Sequence, residues 1–93
     1  MRSRYTAFAL RDERHLLASW HPSTRPSELA FEDDLRWRRL VIVDRAEGGP
    51  FDRVGVVEFD AQWTQGEARG SLRERSRFVR EGREWFYVDG DVE

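Results

Sequence analysis

The chain contains no cysteine and no lysine, one methionine and three prolines in 93 residues. Without cysteine there is no disulfide, no thiolate nucleophile and no thiolate zinc site. With lysine absent, all sixteen basic side chains are arginine. Forked guanidinium bonds to carboxylates or phosphates are one reading of that bias; the codon usage of a GC-rich genome accounts for it without any site. Long hydrophobic runs are missing too. The longest stretch without a charge is His15 to Thr24, ten residues, against the roughly 20 apolar residues of a membrane-spanning helix. Tyr5 to Leu10 is too short for a signal-peptide core and ends at Arg11-Asp12. These absences lead to the expectation of a cytoplasmic protein with no membrane contact. Two histidines without HExxH or HxH spacing make a weak metal signal, and neither a metal site nor a cofactor is expected. Neither G-x-S-x-G, nor a P-loop, nor G-x-G-x-x-G occurs. The balance of 16 basic against 18 acidic residues, net -2, argues against a general polyanion binder.

What is present is aromatic. Twelve rings, 13% of the chain, supply large buried area despite 37% charged residues. One domain over residues 1–93 is expected. Tyr5, Phe8 and Ala9 fall at helical spacing, as do Leu16, Leu17 and Trp20. Asp12 sits between the two sets as a cap candidate, so the pattern predicts two short helices, or one helix bent near Arg11. His21-Pro22 ends this region, and His21 to Ser27 is loop chemistry. A helical turn is expected over Glu28 to Asp34. Four strands are then expected, over Trp37–Asp44, Val54–Trp63, Ser71–Arg80 and Glu84–Asp89, with Asp89-Gly90-Asp91 as the stop. Helices followed by an antiparallel meander give an α+β fold with the helices covering one sheet face.

Strand periodicity assigns the faces. In the second strand Val57, Phe59, Ala61 and Trp63 share one side, opposite Val56, Glu58, Asp60 and Gln62. In the third, Leu72, Glu74, Ser76 and Phe78 oppose Arg73, Arg75, Arg77 and Val79. If the apolar faces meet on the core side, the three arginines share the outer face with Glu58 and Asp60 as cross-strand ion pairs. The stretch Arg69 to Arg83, locally +4, otherwise resembles a nucleic-acid strip; acidic partners at matching parity make nucleic acid the weaker reading. The same parity turns Glu74 and Ser76 inward, where a carboxylate is costly unless paired or in a wet pocket. A two-residue loop at Glu81-Gly82 puts Glu74 opposite Asp89 and Ser76 opposite Tyr87, a carboxylate pair suited to acid–base work. A three-residue loop would turn Asp89 and Tyr87 outward. A structural ion pair of Glu74 with an arginine of the first helix, or with Arg25, is the third alternative. His21 is a second candidate base. The candidate pocket is Trp20, His21, Arg25, Trp37, Phe59, Glu74, Ser76 and Tyr87.

Five segments occur in a familiar order: Met-Arg-Ser-Arg-Tyr-Thr-Ala-Phe at 1–8, Trp-His-Pro-Ser-Thr-Arg-Pro at 20–26, Val-Glu-Phe-Asp-Ala at 57–61, Leu-Arg-Glu-Arg-Ser-Arg-Phe-Val-Arg-Glu at 72–81 and Trp-Phe-Tyr-Val-Asp-Gly at 85–90. The chain resembles the YchJ-like family of uncharacterised bacterial proteins. The resemblance implies a nuclear transport factor 2-like middle domain, a cone in which a curved antiparallel sheet wraps N-terminal helices around a cavity. Family members commonly carry a zinc-binding, cysteine-rich SEC-C motif before the Met-Arg-Ser-Arg segment. No such motif is present here, and no zinc-linked role transfers. Arg11 also stands where a helix-ending glycine is expected. The family supplies no known reaction, so no catalytic residue transfers.

Two functions follow as expectations. The first is a non-enzymatic module with a small internal pocket that binds a small molecule, or a protein partner or second copy through an apolar outer sheet face, since Val41 and Val43 lie on one face of the first strand and Leu40 and Ile42 on the other, with Val56 and either Trp85 or Phe86 outward. The second is an acid–base pocket enzyme of isomerase or hydratase type using Glu74 or His21.

Overall fold

The structure, a computed structural model, describes residues 2–93. Helix α1 spans Arg2–Leu10 and α2 spans Glu13–Ala18, so two helices form. Their junction is a Schellman turn: Arg11 N–H donates to Phe8 O at 3.2 Å and Asp12 N–H to Ala7 O at 2.7 Å. That turn needs a left-handed residue, and Arg11 takes φ 57°, at a cost of about 1–2 kcal/mol for a side chain with a Cβ. The Arg11 guanidinium offsets part of this by donating to the carbonyls of Glu32, at 3.0 Å, and Asp33. Asp12 then caps α2, its Oδ1 accepting from His15 N–H at 3.1 Å.

Beyond α2 the chain lies along a sheet edge. Tyr87 N–H donates to Ser19 O at 2.9 Å and His21 N–H donates to Tyr87 O at 2.7 Å, so one short stretch covers the exposed backbone of the last strand. The helical turn expected over Glu28 to Asp34 does not form. Only Asp33 and Asp34 turn, because this segment's backbone is held from outside. Leu29 N–H reaches Glu13 Oε2 at 3.4 Å, and the carbonyls of Glu32 and Asp33 take the Arg11 guanidinium.

The sheet is an antiparallel meander, ordered β1 (Leu35–Glu47), β2 (Val54–Gln65), β3 (Ala68–Glu81) and β4 (Glu84–Val92). The strands run longer than the sequence pattern suggests. Two-residue turns at Gly66-Glu67 and Gly82-Arg83 join the last three. The first residue of each is a glycine with positive φ, 57° and 64°, as tight hairpins require. Register shifts mark bulges at Arg38 and Val43 in β1 and at Val88 in β4; bulges bend and twist the strand that carries them. The bulge at Val43 interrupts the alternation expected in β1, leaving Ile42 opposite Phe59 and Asp44 opposite Glu58. The concave face packs on the helices. Ala7, Leu16, Phe59, Ala61 and Phe78 form the buried apolar centre.

The outer face is an ion ladder. Arg73 meets Glu58 at 2.8 Å and Arg75 meets it at 3.8 Å. Arg77 takes its partners from β4 rather than β2: Asp89 at 2.6 Å and Asp91 at 2.8 Å. Among the described residues Asp60 makes no such pair, and its Oδ1 is buried without a partner.

Candidate functional site

Under α1, against the concave face, lies a cavity of about 140 Å³. Tyr5 and Phe8 of α1, Trp37 of β1, Phe59 and Ala61 of β2, and Leu72 of β3 give it an apolar wall, with Trp20 and Tyr87 closing one side. Four polar side chains face the same space: Arg4, Glu74, Ser76 and Tyr87.

Arg4 is the residue the sequence reading missed. It is 5% exposed. Its Nη1 donates to Leu16 O at 3.1 Å and Ser19 Oγ at 2.8 Å, which ties α1 to the end of α2. The guanidinium carbon lies 4.4 Å from the Tyr87 ring centroid and 5.0 Å from that of Trp20, so aromatic faces replace part of its lost hydration. Burial lowers its pKa to about 10, against the raising fields of Tyr87 and Glu74; it stays charged at neutral pH. A signal was available: Arg4 stands four residues before Phe8 and beside Tyr5, on the stripe that faces the core. Its charge disguised it as a surface residue.

Glu74 reaches the cavity by way of a glycine. Its carboxyl group lies across Gly90 on the neighbouring strand, where a Cβ would come within 2.7 Å of Glu74 Cδ. The hydroxyl of Ser76, fully buried, donates to Glu74 Oε2. Glu74 and Arg4 face each other with no ion pair within 4 Å among the described residues, so the direct bond expected between Glu74 and a first-helix arginine, or Arg25, does not form. The expected carboxylate pair does not form either. The two-residue turn falls at Gly82-Arg83, one residue later than expected, so Phe78 stands opposite Tyr87; farther along, Ser76 stands opposite Gly90 and Glu74 opposite Val92. The later turn moves Glu74 away from Asp89, and the bulge at Val88 shifts the register once more. One extra residue reverses the parity, so Tyr87 points in and Asp89 points out to Arg77. Thr24 fastens the bulge from outside, its hydroxyl donating to Val88 O at 2.6 Å.

Tyr87 sits between the two charges. Burial first, and the Glu74 field second, push its pKa up to about 12, so it presents an O–H donor. Burial also raises Tyr5.

Of the eight pocket candidates from sequence, Trp20, Trp37, Phe59, Glu74, Ser76 and Tyr87 line the cavity; His21 and Arg25 do not. Along the edge-paired segment successive side chains alternate. Trp20 turns to the cavity, its ring 5.0 Å from Tyr87, while His21 turns away beside Phe86. There His21 Nε2 meets Glu81 Oε1 at 2.5 Å and its Nδ1 meets Ser23 Oγ at 2.7 Å. Arg25 Nε and Nη2 both donate to Trp20 O, at 3.0 and 2.9 Å, a loop clamp.

Two helices set in a curved four-stranded meander, with a cavity between them, define the nuclear transport factor 2-like class. Over residues 1–90 the chain matches the family described as YchJ, middle NTF2-like domain, and it belongs to that family. It is 50% identical over 91 residues to a UPF0225 protein of Streptomyces avermitilis, covering 98% of this chain and 62% of that one. It is 46% identical to a UPF0225 protein of Streptomyces coelicolor, covering 98% of this chain and 70% of the relative. The chain therefore spans between three-fifths and three-quarters of these relatives. The solution structure of a SEC-C motif containing protein from Rhodopseudomonas palustris superposes with a TM-score of 0.82 at 28% identity, over 98% of this chain and 73% of that chain.

Proposed function

We propose that the domain is a binding module for a small ligand held in the cavity beneath α1. One observation carries the reading. A buried arginine, with its Nη1 alone committed to the protein, shares an otherwise apolar cavity with a carboxylate and a tyrosine hydroxyl. A concave apolar space with a few convergent polar groups is the usual form of a ligand site. Its volume matches the roughly 150 Å³ cavity that takes up benzene, so the ligand is about one ring in size. The fold itself selects no function.

The acid–base reading loses support, since Glu74 has no second carboxylate beside it and His21 is on the opposite side of the sheet. Arg73, Arg75 and Arg77 are engaged by Glu58, Asp89 and Asp91, which removes the motive for a nucleic-acid role.

The test is fragment binding followed by amide chemical shifts. Ring-sized fragments are expected to shift residues 4–8, 59–61, 72–76 and 87 together. A library of such fragments that leaves those amides unmoved would overturn the proposal.

A further inference from the structure

Resting on that binding reading, we infer that the cavity is built for an uncharged planar ring with a hydrogen-bond acceptor and a donor side by side, the pattern of a cyclic amide. The reasoning starts from charge. Arg4 contributes one positive charge and Glu74 one negative charge to the same apolar space, with no direct bond between them among the described residues. The site is thus neutral before the ligand enters. An anionic ligand would leave a net negative charge in a poorly solvated cavity, and a cationic one a net positive charge. Either carries an uncompensated desolvation cost. A neutral ligand avoids both costs.

Hydrogen bonding narrows the class. Arg4 commits Nη1 to Leu16 O and Ser19 Oγ, while its Nε and Nη2 have no partner among the described residues and can only donate. Glu74 has Oε2 taken by the Ser76 hydroxyl, while Oε1 has no partner there and can only accept. Tyr87 keeps its O–H. A ligand edge must therefore offer an acceptor to Arg4 and a donor to Glu74. A cis amide in a ring does so with adjacent atoms, and its flat faces suit walls made by Phe59, Trp37 and Tyr5. A hydrocarbon of equal size would fill the cavity and leave both charges unbonded, the kind of mismatch by which polar sites reject apolar analogues.

The experiment measures four probes against the intact chain by NMR titration: 2-pyridone, benzoate, benzylamine and toluene. The expected order places 2-pyridone first by about tenfold, the value of one well-made hydrogen bond. Glu74→Gln keeps the shape and an acceptor for Ser76 but removes the charge. The site becomes net positive, and the preference is expected to cross over from 2-pyridone to benzoate. Toluene binding as well as 2-pyridone in the wild type, or benzoate leading there, overturns the ligand class while leaving the cavity a binding site. No probe binding at all overturns the site itself. The wild-type ranking decides the matter even if the variant does not fold.

Discussion

Gly90→Ala isolates the contact that carries Glu74 into the cavity. Gly90 has no positive φ, so alanine suits its backbone, and in a strand it returns roughly 0.5–1 kcal/mol of chain entropy. The opposing effect is local. The new Cβ would lie 2.7 Å from Glu74 Cδ, 2.8 Å from Oε2 and 2.9 Å from Cγ, closer than such atoms approach, so the carboxyl group must swing off the strand into the cavity. Ser76, with no exposed surface, then loses the acceptor of its hydroxyl. A buried hydroxyl left without a partner costs about 1–3 kcal/mol. The net expectation is a loss of about 1–2 kcal/mol, or roughly 4–16 °C in Tm for a domain of this size. Chemical denaturation of four proteins measures it: wild type, Gly90→Ala, Glu74→Ala and the double variant. With Glu74 truncated the clash is gone, and Gly90→Ala should then stabilise by about 0.5–1 kcal/mol. The sign of the Gly90 effect therefore reverses between the two backgrounds. Equal effects in both would refute the claim that Glu74 and Gly90 are packed against each other.

Three further outcomes are expected. Tyrosinate absorbance should show Tyr87 ionising only near pH 12 in the folded protein and about two units lower in denaturant. A raised acid pKa contributes stability that is complete below pH 10 and lost as pH climbs toward 12; the lowered Arg4 pKa acts oppositely above pH 10, so the spectrum, not the Tm, is the clean readout. At Arg11, glycine should be more stable than alanine by about 1 kcal/mol, because both lose the guanidinium bonds but only alanine keeps the left-handed strain; urea midpoints showing alanine ahead would contradict the Schellman turn. The Arg77 hydrogen bond, with its charge, holds the Asp91 carboxyl below its ordinary value. Arg77→Ala should return it upward in a carbon-detected carboxyl titration. The stability it lends is present above the unfolded carboxylate pKa and fades as pH falls through the folded one.

Much of the fold is a matter of local pattern. The alternation of Val57, Phe59, Ala61 and Trp63, and of Arg73, Arg75 and Arg77, sets two faces whichever partners arrive, because a strand has period two. Asp12 before Glu13 is a helix start by the same local logic, and two-residue turns at Gly66 and Gly82 follow from glycine's access to positive φ. From these, the meander, the covered face and the inward turn of Glu74 and Ser76 could be read. What local pattern lacks is any knowledge of bulges, which arise between strands. The turn fell one residue later than expected, which moved Asp89 away from Glu74, and the extra residue at Val88, pinned by Thr24 from a distant loop, turned Asp89 outward. The strand-edge pairing of Ser19 to His21 with Tyr87 sent Trp20 to the cavity and His21 to the far side. Arg4 was buried by groups from α2, β3 and β4 acting together, at a position where charge alone argues for solvent. The sequence thus determined the elements, their order and the parity of the central strands. The cavity's polar set was decided only when side chains from distant segments met, since the free energy of burying a charge depends on those neighbours and not on its own segment.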